Sequence, residues 1–329
     1  MNTLAFSLLN DWQRDFPLTA APFRALAEHC GCDEDTVLAS YAALQSEGAI
    51  SRIGGVWAAG AGGAALLCAF AAPQPRLEAV AALVSAHPGV NHNYERENHH
   101  NLWFVITGSD RSAVHSAVDT LEKESGLTAL RLPMRRAYRI DLGFDLRKDL
   151  AYGGSVQPAA VPVSTADRPL AELVEGGLPL LSRPFEAWGQ ALDQSPEAVL
   201  ATLQRWLREG TLRRFGVVVR HHEAGFSHNA MTVFDVPDTQ VDHFGTALAA
   251  QRGVTLAYRR DRAPGWRYNL YCMVHGRNRD AVDAALASAI AGSGLQNHPH
   301  DVLFSRRRFK QSGARYFRPL PAGAEHAPA

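Results

Sequence analysis

Cysteine is scarce in this sequence. The chain has four, Cys30, Cys32, Cys68 and Cys272, too few and too scattered for a disulfide framework. Cys30 and Cys32 lack a second pair of ligands, so neither zinc nor another metal site is predicted. Reduced thiols are typical of cytoplasmic proteins, and this is the location that we expect.

The sequence also lacks a charge excess and a long apolar run. Lys plus Arg and Asp plus Glu are equal at 33 each, so the net charge does not attract nucleic acid or acidic membranes. No apolar segment is long enough to span a bilayer. The first residues include Asp11, Arg14 and Asp15, which is unlike a signal peptide. The length of 329 residues with 46% hydrophobic content is enough for two ordinary domains, with no membrane partner expected.

The beginning of the chain has the pattern of a winged helix-turn-helix domain. Apolar spacing and caps predict helices over 4–14, 22–29 and 34–47, the last capped by Asp33 and ended by Gly48. The stretch from Ile50 to Gly55 then predicts a small β wing.

A different pattern follows from residue 64. Strands are predicted at 65–70, 89–97, 102–107 and 127–138, and helices at 77–87 and 112–125. The resulting order β-α-β-β-α-β is that of a ferredoxin-like domain.

The second half of the chain repeats this plan. Pro22-Phe23 returns as Pro184-Phe185, Asn101-Leu102 as Asn269-Leu270, and Tyr138-Arg139 as Phe309-Lys310. We therefore predict an α+β fold with two tandem copies of a winged helix-turn-helix and a ferredoxin-like (AsnC/RAM-type) domain. The predicted ranges are 1–57 and 64–146 for the first copy, 147–169 for a linker, 170–219 and 226–317 for the second copy, and 318–329 for a disordered tail. Because sheet edges need cover, the two ferredoxin-like units are expected to pair as a pseudo-dimer within the chain, with a homodimer of chains left open.

The helix-turn-helix motifs are predicted to be scaffold. Duplex binding relies on Lys and Arg side chains that neutralise phosphates. The stretch 25–51, which includes the first recognition helix, contains neither residue type. The second copy offers only Arg205 and Arg208, set against acidic neighbours. Such a helix would be repelled by the groove that it must enter, so no DNA partner is expected.

The stretch 89–104 carries the residues whose side chains are best suited to binding or catalysis. In a strand, Val90, His92, Tyr94 and Arg96 share one face. An imidazole, a phenol and a guanidinium make a poor core, but they suit binding and protonating an anion. The second copy has Val254, Leu256, Tyr258 and Arg260 at the matching positions, so it keeps the Tyr and Arg but has lost the His.

Arginines are concentrated on the ferredoxin-like strands or their edges, which favours a cradle for a polyanionic small molecule. The run Arg306–Arg308 fits an acid-paired surface equally well. Among the histidines, His92 and His221 stand out because each lies within a few residues of an arginine in a strand context. Histidine titrates near neutrality and can deliver a proton. No phosphate-binding glycine loop, nucleophile elbow or HExxH motif is present.

The domain plan resembles the Lrp/AsnC architecture, and several motifs are similar to those of siroheme decarboxylases. In the first half these are FPL…PF, RIGGV, HNYERE…NLWFV and LPMRRAYRIDLGFD; in the second they are FGVVVRH, AGF…NAM…DVP and WRYNLYCMVHG. The two halves look like NirD-type and NirL-type subunits joined in one chain. The departure is Leu256, where relatives of the second half often have a histidine.

The resemblance implies loss of CO2 from the C12 and C18 acetates of siroheme, giving 12,18-didecarboxysiroheme in heme d1 biosynthesis. It implies no added cofactor, because the iron enters with the substrate, and it makes other proteins of that pathway candidate partners. We assign the proton-donor role to His92 and His221. The residues assigned to substrate binding are Tyr94, Arg96, Trp103, Arg135, Arg220, Tyr258, Arg260 and Lys310. Two alternatives remain, an Lrp/AsnC-type transcription regulator and a non-catalytic tetrapyrrole-binding protein.

Overall fold

The computed structural model describes residues 3–140, 144–145, 150–151, 160–219 and 228–318. Two compact units are present, and each combines segments from both halves of the chain. The first unit contains residues 3–62 and 160–219, which include both helix-turn-helix segments. The second contains residues 63–140 and 228–318, which include both ferredoxin-like segments. The predicted α+β class with two copies of each segment type is confirmed.

The described part of the chain forms helices and strands in the following order: α1 (Thr3–Asn10), α2 (Pro22–Cys30), α3 (Glu34–Ser46), β1 (Ile50–Trp57), β2 (Ala64–Phe70), α4 (Leu77–Ala86), β3 (Val90–Arg96), β4 (Leu102–Gly108), α5 (Arg111–Ser125), β5 (Leu130–Leu132), β6 (Met134–Ile140), β7 (Phe144–Asp145), β8 (Leu150–Ala151), α6 (Arg168–Gly176), α7 (Pro184–Leu192), α8 (Pro196–Arg208), β9 (Leu212–Val219), β10 (His228–Phe234), α9 (Val241–Ala249), β11 (Val254–Arg260), β12 (Leu270–Gly276), α10 (Arg279–Ser293) and β13 (His300–Gln311). None of the described helices has the length and apolarity needed to cross a bilayer. Much of the predicted linker and nearly all of the predicted tail lie outside the described residues.

The first unit shows why its two copies share a sequence pattern. The side chains of Asp33 and Ser195 accept hydrogen bonds from the backbone amides of Thr36 and Ala198, so α3 and α8 begin with the same type of cap. The helix α1 ends at Asn10, earlier than the predicted residue 14.

The predicted wings are single strands rather than self-contained hairpins. Strand β1 pairs antiparallel with β9 of the other copy, and Gly54 lies opposite Gly216. A Cβ atom on Gly54 would lie 2.9 Å from the carbonyl oxygen of Val174, and one on Gly55 would lie 2.6 Å from Cδ2 of Leu212. The predicted wing of each copy is therefore one strand, and its partner is the wing strand of the other copy.

In the second unit, nine strands form one sheet in the order β5-β2-β4-β3-β13-β10-β12-β11-β6. The last strand of each copy crosses to the other copy. Strand β13 pairs first with β10 of its own copy and then with β3 of the first copy, while β6 pairs with β11 of the second copy. The predicted pairing of the two ferredoxin-like units within the chain is confirmed.

The expected single strand over 127–138 is two strands, and this matters for closure of the sheet. Strand β5 begins at Leu130 and pairs with β2, whereas β6 pairs with β11 at the opposite end of the strand order. Only Pro133 separates them, and proline cannot donate a ladder hydrogen bond, so the ladder breaks there. Strands β5 and β6 are the two end strands of the sheet. Because a single residue joins them, the sheet closes on itself.

The closed sheet has two faces with different environments. Leu66, Cys68 and Phe70 of β2 pack under α4 and α5, and the second copy forms a similar outer core. The residues between them, Leu67 and Ala69, point to the inner face, where side chains of both copies meet. The other inner members are Trp103, Leu130, Leu132, Met231, Val233, Trp266, Tyr271 and Leu303.

The repeated Asn-Leu pair has a structural role in both copies. The side-chain amide of Asn101 bonds to the backbone nitrogen and oxygen of Ala72, each at 2.9 Å. The amide of Asn269 does the same with Val236, at 3.1 and 2.9 Å. These bonds tie the start of β4 and β12 to the end of the neighbouring strand.

Candidate functional site

Strand β3 presents His92, Tyr94 and Arg96 to the inner face of the closed sheet. A shift in the pairing of β3 with β4 falls between Val90 and His92, so Val90 turns instead to the outer core. The prediction that Val90 shares the face of the other three was therefore wrong. On the opposite side, the amide of Asn93 donates to the carbonyl of Ala81 in α4 at 3.0 Å.

Arg96 is buried and has no carboxylate partner among the residues that the structure describes. It is 6% exposed. Its Nη1 atom lies 3.0 Å from the carbonyl oxygen of Leu303 and 3.4 Å from Oδ1 of Asn229, and its guanidinium lies 5.4 Å from the ring centre of Tyr94. Burial lowers the pKa of Arg96 to about 10. A buried cation with only neutral partners is costly, and an anion entering the site would compensate for it.

His92 and Tyr94 lie next to this cation. Their rings are nearly parallel, with centres 6.1 Å apart. Burial, followed by the charge of Arg96, lowers the pKa of His92 to about 4, so the imidazole is neutral at pH 7. Burial also raises the pKa of the Tyr94 phenol.

A second histidine, His275 of β12, belongs to the same site and was not predicted. Its Nδ1 atom lies 3.0 Å from Oγ1 of Thr255. Burial lowers its pKa to about 4, and the charges of Arg96 and His92 contribute. Strand alternation with Tyr271 and Met273, both on the inner side, is the signal that could have identified it.

Two polar residues from the second copy complete the surroundings of Arg96. Asn229 of β10 lies opposite His275 in the strand register. The hydroxyl of Ser305 donates to Oδ1 of Asn229 at 2.8 Å, and Ser305 is the register partner of Arg96 on β3. The site therefore combines one strand of the first copy with three strands of the second.

The related strand of the second copy provides a different environment. Tyr258 and Arg260 occupy the positions that match Tyr94 and Arg96, and Leu256 occupies that of His92. Nη1 of Arg260 donates to the carbonyl of Leu132 at 2.9 Å. Its guanidinium lies 5.2 and 5.8 Å from the ring centres of Tyr258 and Tyr271, a cation–π arrangement.

The other predicted substrate-binding residues are dispersed. Trp103 lies on the inner face, and its indole donates to the carbonyl of His100 at 2.5 Å. Arg135 is exposed and forms an ion pair with Asp261 at 2.5 Å. His221 and Arg220 lie outside the described residues, so their predicted roles stay predictions.

Lys310 is placed at the end of a helix rather than beside Arg96. Its ammonium donates to the carbonyls of Ser85 and His87, at 2.7 and 2.9 Å, just where α4 ends. Arg139 of the first copy makes the equivalent contact with the second copy, donating to the carbonyl of Ala249 in α9 at 3.1 Å. Each exchanged strand therefore carries a cation to the C-terminus of a helix of the other copy. A substrate-binding role for Lys310 stays a prediction.

Sequence comparison matches both domain types twice. The AsnC-like ligand binding domain family matches residues 61–139 and 223–310, and the siroheme decarboxylase NirDL-like HTH domain family matches residues 7–50 and 167–213. The siroheme decarboxylase NirDL subunit of Paracoccus denitrificans is 42% identical over 319 residues, covering 95% of this chain and 97% of the relative.

Structural comparison gives the same result. The crystal structure of the siroheme decarboxylase NirDL is 27% identical, with a TM-score of 0.68 over 96% of this chain and 95% of that one. A second crystal structure of the siroheme decarboxylase NirDL, a co-complex with an iron-uroporphyrin III analogue, has a TM-score of 0.67, also at 27% identity, over 96% of this chain and 94% of that one.

Proposed function

The chain belongs to the family of NirDL-type siroheme decarboxylases, and we propose that it removes CO2 from the C12 and C18 acetate side chains of siroheme, giving 12,18-didecarboxysiroheme, a step of heme d1 biosynthesis. The observation that carries the proposal is the inner face of β3 and β12. There, Arg96 is buried with no carboxylate partner among the described residues, and it lies beside the two neutral histidines His92 and His275.

The charge of this face fits the substrate. Siroheme carries several carboxylates, and a guanidinium binds a carboxylate through strong, directional hydrogen bonds. Arg96 has an Nε atom without a hydrogen-bond partner within the described part of the chain. A carboxylate placed against Arg96 would satisfy this donor and neutralise the buried charge, so binding is coupled to relief of an unfavourable burial.

The same surroundings suit decarboxylation. When the bond between the acetate methylene and its carboxylate breaks, CO2 leaves and the electron pair stays on the methylene carbon. This carbon takes up one proton and becomes a methyl group. A water-poor pocket favours the loss of the carboxylate charge, and the inner face is lined by buried side chains such as Trp103, Tyr271 and Leu303.

We assign delivery of the proton to His92, and place His275 as a second imidazole for the same site. Without a substrate carboxylate, both pKa values are about 4, because burial and the charge of Arg96 disfavour the imidazolium. A substrate carboxylate adds a negative charge nearby, which raises the pKa of a neighbouring imidazole. Binding therefore makes a protonated histidine available when the substrate is in place. The chemistry uses no added cofactor, because the iron belongs to the substrate.

The direct test is anaerobic incubation of the protein with siroheme, followed by mass spectrometry of the tetrapyrrole. The wild type is expected to release two CO2 per siroheme. His92→Ala is expected to slow the reaction by ~100–10,000-fold, the usual contribution of a positioned acid. Leu256→Ala, at the matching position of the second copy, is the control and should leave the rate within a few-fold. Unchanged turnover of His92→Ala would contradict the assignment, and binding without mass loss in the wild type would indicate a carrier rather than an enzyme.

A further inference from the structure

Strand β11 carries one extra residue, Thr255, where it pairs with β12. Its neighbours Val254 and Leu256 have partners on β12 that are adjacent in the chain, so Thr255 has no partner in the register and forms a β-bulge. Its side chain contacts β12 instead and is 1% exposed. The Oγ1 atom of Thr255 lies 3.1 Å from the carbonyl oxygen of Met273 and 3.0 Å from Nδ1 of His275. The bulge therefore places a buried hydroxyl against the imidazole of the candidate site.

These two hydrogen bonds determine which nitrogen of His275 carries the proton. A threonine hydroxyl has one proton to donate and lone pairs with which to accept. The carbonyl oxygen of Met273 can only accept, so it takes the proton of the Thr255 hydroxyl. Nδ1 of His275 must then donate to Thr255, which leaves Nε2 of the neutral ring without a proton. The neutral ring is the form present at pH 7, because the pKa of His275 is about 4.

The strand order shows where the unprotonated Nε2 is directed. Strand β12 lies between β11 and β10, and Nδ1 of His275 faces β11, so Nε2 is on the side of β10. The register partner of His275 on β10 is Asn229, whose Oδ1 atom lies 3.4 Å from Nη1 of Arg96. Among the described residues, the charged or titratable groups that act on His275 are Arg96 and His92 of β3, whereas Thr255 and Asn229 are neutral. The lone pair of Nε2 therefore lies on the side of the site where a carboxylate would meet Arg96.

The first copy has the same bulge but a different pair of residues. The extra residue of β3 is Asn91, and Thr107 is the last but one residue of β4, as His275 is of β12. The hydroxyl of Thr107 donates to the carbonyl of Gly89 at 3.2 Å. The pairing of a bulge threonine with a histidine is thus found in one of the two copies, and it is the copy whose histidine lies beside Arg96.

We propose that Thr255 is a positioning residue that keeps a proton on Nδ1 of His275, so that His275 binds a substrate carboxylate only after it takes up a second proton at Nε2. This rests on the proposed function and deepens it. A carboxylate and an unprotonated Nε2 both present lone pairs, so no hydrogen bond forms between them until Nε2 gains a proton from the solvent. The imidazolium then keeps its Nδ1–H on Thr255 and donates its Nε2–H to the carboxylate in a charge-assisted hydrogen bond. Arrival of the substrate thus charges the ring without turning it.

The position of the proton is measured by nitrogen NMR of the full chain, labelled with 15N-histidine, at pH 7 and without ligand. The signals of His275 are those that disappear in His275→Gln. The proton is expected on Nδ1 in the wild type and in Thr255→Ser, which keeps the hydroxyl, and it is expected to move towards Nε2 in Thr255→Val. The control is Thr232→Val, at a buried threonine paired with Cys272 of the outer core, which should leave the signals unchanged. A wild-type ring with its proton on Nε2 would overturn the proposal, and so would a Thr255→Ser spectrum like that of Thr255→Val.

The uptake of the second proton is measured by anaerobic calorimetric titration with iron-uroporphyrin III, the type of compound held by the solved relative, in buffers with different heats of ionisation. Thr255→Val is expected to take up fewer protons than the wild type and Thr255→Ser, by up to about one per ligand, because its neutral ring can donate Nε2–H to the carboxylate. Equal uptake in the wild type and Thr255→Val would overturn the proposal. Failure of the wild type to release CO2 from siroheme would instead refute the proposed function, whereas the NMR measurement needs no substrate, so the two failures are distinguishable.

Discussion

Among the described residues, the guanidinium of Arg96 contacts only neutral groups, which are the carbonyl of Leu303, the amide of Asn229, the sulfur of Met273 and the face of Tyr94. Such a residue opposes folding and favours binding at the same time. Its charge is costly while it is unpaired, and a bound carboxylate then forms a charge-assisted hydrogen bond worth about 1.5–3 kcal/mol. The two effects can be separated by experiment.

We expect Arg96→Met to weaken the binding of iron-uroporphyrin III by ~10–100-fold, which follows from losing one charge-assisted hydrogen bond. Its thermal stability is expected to stay equal or to rise, because an unpaired buried charge is removed. Absorbance titration and thermal melting measure the two quantities. Arg183→Met, at an exposed arginine paired with Glu186, is the control and should leave binding unchanged. Unchanged affinity in Arg96→Met would exclude Arg96 as an anion ligand.

The two site histidines also predict how stability depends on pH. In the unfolded chain they take up protons near pH 6.5, whereas in the folded protein their pKa values are about 4. The unfolded state therefore binds more protons between these values, and stability is lost as the pH falls from about 6.5 to 4. Each histidine contributes at most about 1.4 kcal/mol per pH unit.

We expect the double variant His92→Gln/His275→Gln to lose less stability than the wild type when the pH is lowered from 7 to 5. Urea unfolding at the two pH values measures the difference. Repeating both measurements with saturating iron-uroporphyrin III is a useful comparison, because the bound anion should reduce the loss of stability between pH 7 and pH 5 in the wild type only. Equal pH dependence of wild type and double variant would show that these imidazoles titrate normally.

At the scale of single residues, the sequence predicted part of the geometry of the candidate site. Strand alternation placed His92, Tyr94 and Arg96 on one face, but it could not locate the shift in pairing that turns Val90 away. His275 was missed because its proximity to Arg96 depends on the order of strands in the sheet. Strand β12 lies beside β10, and β10 reaches β3 only through β13, so no local pattern connects the two residues.

At the scale of elements, the exchanged strands β6 and β13 join the two copies. Each places a cation at the C-terminus of a helix in the other copy, Arg139 at α9 and Lys310 at α4. The backbone dipoles of a helix make its C-terminus partly negative, so such a cation stabilises it by about 0.3–2 kcal/mol. The contacts therefore favour the exchanged arrangement over separate copies.

We expect Lys310→Met and Arg139→Met to lower the free energy of unfolding by similar amounts, about 0.3–2 kcal/mol each, because they remove equivalent contacts. Urea unfolding measures this, and the KM for siroheme should stay unchanged in both variants. A KM increase confined to Lys310→Met would instead support the predicted role of Lys310 in substrate binding, with Arg139→Met as the matched control.

The sequence predicted the elements well but not all of their partners. Repeated pairs such as Asn101-Leu102 and Asn269-Leu270 identified the duplication, and both asparagines bind a neighbouring strand end in the same way. The pairing of the last strand of each copy with the other copy could not be predicted from the sequence, because the β-α-β-β-α-β order is equally compatible with pairing inside one copy. The break between β5 and β6 was missed, although Pro133 could have indicated it, since proline cannot donate to the ladder.

At the scale of the whole molecule, the charge of the helix-turn-helix unit bears on whether this protein has kept a regulatory role. Helix α3 contains no Lys or Arg, and it exposes Asp35 near its start. In α8, Arg205 is engaged by Asp167 at 2.7 Å and by Glu209 at 3.5 Å. Helix α3 therefore offers no cation for phosphates, and besides the ion-paired Arg205 the only basic residue of α8 is Arg208, at its last position.

We expect no sequence-specific retardation of DNA from the upstream region of the protein's own gene in a low-salt gel-shift experiment, with or without siroheme. Low salt is the stringent condition, because it strengthens any electrostatic binding. As a positive control for the assay, a variant with Ala39→Lys and Ala42→Lys on the exposed side of α3 should gain non-specific binding. Specific retardation by the wild type would restore the regulator as a candidate function.

The joining of the two copies in one polypeptide has an evolutionary consequence. In an assembly of two identical chains, every substitution appears in both pockets at once, so a change that closes one pocket closes the other. In this chain the codons for His92 and Leu256, or for His275 and Thr107, mutate separately. The fusion therefore allows the surroundings of Arg96 and of Arg260 to change independently of each other, as they have at His92 and Leu256.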